Sequence, residues 1–167
     1  MCGSILSAAV RDGAFAEAVA EKAMSLVDTP LAMPDYSPIV ERMKLRYDLR
    51  IRKWRRTMSG CAWRVYYHDG RVINWIEAPL PRTPISLAIF LHEVGHHVIG
   101  FNAYKRRCEE EYHAWVWAIT QMRLHGVEPD EKVHRRFRAS MQYAVRKALR
   151  RGIRQLPEPL QQFASAA

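Results

Sequence analysis

The sequence predicts a small α+β domain in which three strands are followed by a series of helices. Residues 48–78 switch from helical spacing to alternation, while the stretches on either side repeat their apolar residues at three- and four-residue intervals. Prolines and glycines punctuate the chain where these patterns change. At 167 residues the chain is long enough for one sizeable core and too short for two.

The first 35 residues read as a short amphipathic helix over 12–27 followed by a linker holding Pro30 and Pro34. Ser37-Pro38 looks like an N-cap with proline in the first turn, opening a helix that runs to Tyr47. Strands follow over Leu49–Trp54, Cys61–His68 and Arg71–Ala78. Asp69-Gly70 gives a two-residue hairpin signal, and Ser59-Gly60 gives a turn. These suggest a three-stranded antiparallel meander that Pro79 and Pro81 end.

Thr83-Pro84 is an N-cap and first-turn pair for a helix reaching Gly100. A second helix spans 107–124, and a third starts at Glu128-Pro129-Asp130 and ends near Gly152. The expected domain is therefore 36–154, with 155–167 as a disordered tail.

Composition narrows the function classes. A hydrophobic fraction of 49% with five Trp argues for a globular chain. The net charge of +9 and pI near 9.8 suit either an acidic partner or a solvated basic surface. Cys2, Cys61 and Cys108 form no CxxC pair and suit a reducing compartment. The N-terminus lacks a basic n-region, and no apolar run nears the ~18 residues of a membrane span. The expected location is cytoplasmic, with no membrane partner; the oligomeric state is not legible.

His92-Glu93-Val94-Gly95-His96 is an HExxH motif inside the predicted 84–100 helix. Histidines at i and i+4 lie one turn apart on one face, so both imidazoles can reach a single zinc ion. Glu93 projects beside them, where it can accept the proton of a zinc-bound water attacking a carbonyl. Apolar Ala88–Leu91 and Val98-Ile99 suit a buried active-site helix, and Gly95 leaves room near the metal.

A catalytic zinc needs a third protein ligand. If the chain turns back after Gly100, the rise of 1.5 Å per residue sets Glu111 level with His96. Helical phase favours Glu111, which shares a face with Ala114, Ala118 and Met122; Glu110 and His113 are the alternatives, and Glu109 fits a solvated helix start. His97 points about 100° from His96. His97, Tyr104 and Tyr112 are candidate transition-state or substrate contacts, with His125 and His134 as weaker donors.

Residues 70–120 resemble gluzincins, most closely ImmA/IrrE-type metallopeptidases, through His92, Glu93, His96, then Glu111-Tyr-His-Ala114 and Trp117-Ala118. The resemblance implies a zincin-like fold and a zinc-dependent peptidase acting on a specific protein substrate, such as a repressor. It also implies that the strand before the active helix, Ile73–Ala78, is an edge that binds extended peptide. The family usually has Asp or Asn four residues after the ligand glutamate; this chain has Trp115.

Seven cations fall within Lys44–Arg56, interleaved with Tyr47 and Trp54, and the 130–152 helix is basic with an apolar stripe through Val133, Phe137, Met141, Ala144 and Ala148. Arg52, Arg55 and Arg56 are candidate nucleic-acid contacts. The alternative function is thus a nucleic-acid-associated protein: a SprT-like protease on DNA-bound proteins, which would prefer His113 as ligand, or a binding module with a structural metal site.

Overall fold

The computed structural model describes residues 34–164. The helix expected over 12–27 and most of the proline-rich linker lie outside the described residues. The elements run α1 (Ser37–Tyr47), β1 (Leu49–Arg55), β2 (Cys61–Tyr66), β3 (Val72–Pro79), α2 (Pro84–Ile99), α3 (Arg107–Leu124), α4 (Glu131–Arg150) and α5 (Glu158–Gln161). The α+β class and the helix–strand order follow the sequence reading. Among the described residues, no helix is long and apolar enough to cross a membrane.

The sheet differs from the expected antiparallel meander. Its order is β1-β3-β2, with β2 antiparallel and β1 parallel to β3. The local hairpin signal is correct for β2 and β3: Tyr66 pairs with Val72, and Tyr67 N donates to Arg71 O, closing a loop of His68, Asp69 and Gly70. The loop has three residues, with Gly70 at φ 83° in the position that follows a turn in such hairpins.

What the sequence misplaced is β1. β3 has the most continuously buried end, Ile76 to Pro79, and a strand buried in this way takes the centre of a sheet. It also carries a buried acid, Glu77. Pairing on the β1 side brings Arg52 Nη1 to 2.7 Å and Arg55 Nε to 3.0 Å from its carboxylate. Arg52 is the extra residue of a bulge, because Ile51 pairs with Ile76 and Lys53 with Glu77. β3 is therefore paired on both sides and is not an edge, which corrects the expectation that Ile73–Ala78 could receive a peptide. Among the described residues, the edges are β1 and β2.

α2 is the central helix. Every residue from Ser86 to His97 is buried, so the helix has no solvent face there. Its start combines Pro84 in the first turn with a reciprocal cap. Thr83 Oγ1 accepts from Ser86 N at 3.3 Å, and Ser86 Oγ accepts from Thr83 N at 2.9 Å. α1 begins at the expected cap residue, Ser37, so the N-cap falls one residue earlier at Tyr36, with Asp35 Oδ1 accepting from Ser37 N.

α3 packs most extensively on α2. Ala114 lies against Gly95, where an added Cβ would come within 2.9 Å of Ala114 O. Gly95 thus serves the helix crossing rather than clearing space at the metal. α4 is capped by Asp130, whose Oδ1 accepts from Val133 N at 2.8 Å, and buries Val133, Met141, Val145 and Ala148. Phe137 and Ala144 of the expected stripe are half-buried.

Residues 155–164 are not the expected frayed tail. α5 docks Leu160 and Phe163 into the core, with the Phe163 ring 5.6 Å from that of Phe137. The apolar pair was too short to show helical periodicity.

Candidate metal centre

α2 and α3 cross at Gly95 and Ala114, and that crossing places three donor atoms together. His92 Nε2 stands 3.2 Å from His96 Nε2 and 3.3 Å from Glu111 Oε2, and His96 Nε2 is 3.7 Å from the same oxygen. These residues form a group able to hold a metal ion. Two ligands each ~2.0–2.1 Å from a tetrahedral ion stand about 3.4 Å apart, so the triangle already has the edges such an ion requires. Glu111 is the carboxylate favoured by helical phase.

The protonation states agree with this geometry. Burial pulls the His92 imidazole down to about 4, so it is neutral at pH 7 and one ring nitrogen carries a lone pair. Burial would raise Glu111, yet hydrogen bonds with His92 and then His96 outweigh it and hold the carboxylate well below the usual range. The set is two imidazoles and one anion, facing inward.

Neighbouring groups fix the imidazoles. Glu110, only 1% exposed, turns away from the triangle and lies 3.4 Å from His96 Nδ1. Its carboxylate also accepts from Asn102 N at 3.3 Å and from the Arg107 guanidinium. Glu110 thus sets a carboxylate on the far side of His96, whose Nδ1, like that of His92, makes no hydrogen bond among the described residues. Trp115, at the position where the resembled family has a polar residue, stacks on His92 with ring centroids 4.5 Å apart and planes at 29°. His92 Nδ1 is buried without a hydrogen-bond partner among the described residues, so the ring is oriented by the Trp115 stack and by the contacts of its Nε2 with His96 and Glu111.

No protein-family model, curated protein or solved structure matches the chain.

The cluster opens into a cavity of about 570 Å³ lined by residues of the β1–β2 loop, α2, the start of α3, and α4. Glu93 lies on its wall beside the two histidines. Burial pushes its carboxyl up to about 7, which makes it able to take or give a proton near neutral pH. Gly60 presses directly on this side chain: a Cβ there would stand 2.3 Å from Glu93 Oε1. Sequence reading gave Gly60 only a turn. Its role as a close neighbour of Glu93 comes from a contact spanning the sheet and α2, which no local pattern encodes.

The other candidates are dispersed. His97 is buried, with Nε2 3.0 Å from Trp75 O, and ties α2 to β3. Burial lowers it to about 4. Tyr104 stacks on His113 at 4.3 Å, and Tyr112 packs edge-on to His113 and against Phe137. None of these four is among the residues lining the cavity. His125 caps the end of α3, and His134 lies in the first turn of α4; neither lines the cavity. Cavity residues that sequence reasoning passed over include Ser140 and Tyr143, both on α4.

The first basic segment is partly committed internally. Arg52 and Arg55 both bind Glu77, and the Arg55 hydrogen bond leads in holding the Glu77 carboxyl below its usual range. Arg56 is exposed and makes no ion pair among the described residues.

Proposed function

We propose that this chain is a zinc-dependent peptidase of the HExxH type, similar in design to ImmA/IrrE metallopeptidases. The observation that carries the reading is the convergence of His92 Nε2, His96 Nε2 and Glu111 Oε2 beside a buried glutamate at the wall of an open cavity. A buried structural site would be closed by a fourth protein donor, and among the described residues the group has three.

Zinc held by His92, His96 and Glu111 would supply a Lewis acid that polarises the scissile carbonyl and acidifies water. The protein contributes the rest. Glu93 accepts a proton at its carboxylate and can return it to the leaving amine. Glu110 and Trp115 hold the ligand rings in place, so little reorganisation is left for the moment of reaction. β2, an edge strand whose first residues line the cavity, offers unpaired main-chain groups to an extended substrate. The nucleic-acid alternative draws less support, since Arg52 and Arg55 are engaged by Glu77 and His113 is stacked on Tyr104.

Purified protein should carry one zinc per chain by elemental analysis, and His92→Ala should remove it. Glu93→Gln should keep the zinc while peptide cleavage falls by about 10²–10⁴-fold. Full cleavage by Glu93→Gln, or full zinc in His92→Ala, would overturn the proposal.

A further inference from the structure

We infer that the α4 wall of the cavity is a subsite for acidic side chains, so that the peptides accepted are those carrying Asp or Glu near the metal cluster. The choice of a peptide as occupant rests on the peptidase reading. The charge preference rests on α4 itself. Arg136, Ser140, Lys147 and Arg151 all line the cavity, at spacings that set them along one face of the helix and its end. From Arg136 to Arg151 this strip extends about 22 Å, long enough to follow several residues of a bound chain.

Two kinds of cation border the cavity. Arg106 and Arg107 are already paired with Glu109, Glu110 and Glu111. Arg136, Lys147 and Arg151, joined by Lys105 from the loop before α3, make no ion pair among the described residues. The carboxylates that line the cavity are Glu111, paired with His92, and Glu93, buried next to His92 in the chain. Arg136 adds a sharper sign: its Nε is buried and, among the described residues, has no hydrogen-bond partner. A buried guanidinium N–H without an acceptor is costly, and a carboxylate is the acceptor that fits its fork. Lys147 and Arg151 are exposed, so they raise the potential at the entrance; Lys147 lies over the Tyr143 ring, an exposed contact that it can leave to close on a ligand. These cations surround a cavity of about 570 Å³, a space for side chains rather than a duplex.

The test uses the full-length, zinc-loaded Glu93→Gln protein, which holds peptides without consuming them. Fluorescein-labelled decapeptides differing only in Asp/Glu, Ala or Lys at four positions are followed by anisotropy. The acidic peptide should bind at least about tenfold more tightly than its alanine twin, and the lysine peptide more weakly than either. In Lys147→Ala/Arg151→Ala, whose folding is checked by an unchanged Tm, the acidic preference should fall by about tenfold. Equal affinity for acidic and alanine peptides overturns the inference. So does a single-stranded oligonucleotide that displaces the acidic peptide at equal concentration, because the wall would then be a phosphate site. Cleavage is read separately with the parent enzyme. An acidic preference in binding without any cleavage overturns the peptidase reading alone, whereas cleavage indifferent to peptide charge overturns this inference alone.

Discussion

The two walls of the cavity treat charge in opposite ways. On the α2–α3 wall His92, His96, Glu93 and Glu110 are buried, and each ionisable group is either shifted toward neutrality or held by a specific neighbour. On the α4 wall Lys147 and Arg151 stand exposed and Arg136 carries an unsatisfied donor. Removing groups from water makes their protonation a property of the fold, suited to chemistry. Leaving them in water preserves their charge, suited to attraction. The lesson extends to the first basic segment. Arg52 and Arg55 look as available as the α4 cations in the sequence, yet they are bound to Glu77.

The largest effect expected on the buried wall is a pH dependence. Glu93 is raised from 4.5 to about 7, so between those values the native state keeps a proton that the unfolded chain has lost. Its stabilising contribution is complete below pH 4.5 and disappears as pH rises through 7. In metal-free protein, the unfolding free energy of Glu93→Gln relative to the parent should rise by roughly 3 kcal/mol between pH 4.5 and 8. His92 and His97, lowered to about 4, have the opposite sign and lose stability as pH falls from 6.5; they cancel in that difference. A flat difference in urea titrations would mean that the Glu93 carboxylate is solvated, and the contrast between the walls would collapse.

Next comes the helix crossing that builds the triangle. Gly95→Ala sets a Cβ 2.9 Å from Ala114 O, which is main chain and cannot swing aside. The variant should lose about 1–3 kcal/mol of stability and weaken zinc binding as α3 carries Glu111 away. Unchanged stability with unchanged zinc affinity would show that the crossing is slack.

Glu110 tests whether the brace matters. Glu110→Gln keeps the shape and removes the charge beside His96 Nδ1, so zinc affinity measured by chelator competition should fall about 10–100-fold. An unaltered affinity would reduce Glu110 to an anchor for Arg107 and Asn102. The smallest effect belongs to the exposed wall. Lys147→Ala/Arg151→Ala should alter stability by no more than about 0.5 kcal/mol, in keeping with exposed charges that make no ion pair among the described residues, Lys147 resting only over the Tyr143 ring. A larger loss would show that these cations brace the structure, and would bring the two walls together.

The sequence by itself determined most of the elements and the three residues that meet at the centre. HExxH at i, i+4 on an apolar stretch is a local statement, since helical periodicity alone puts both imidazoles on one side. Counting out to the loop and back was enough to select Glu111 over its neighbours, because rise per residue is constant along both helices. The cap at Thr83, the start of α4 at Glu128-Pro129-Asp130 and the β2–β3 hairpin were likewise legible, each being settled within a few residues. Tertiary structure decided what depends on residues distant in the chain. The parallel pairing of β1 brings Arg52 and Arg55 to buried Glu77 from far along the chain, and the docking of α5 uses an apolar site that exists only once α3 and α4 are in place. Gly60 against Glu93, Glu110 behind His96 and Trp115 over His92 are contacts between elements. The division of the basic residues into paired and free belongs to the same class. Charge is written in the sequence, but whether it is spent on a neighbour depends on which surfaces meet.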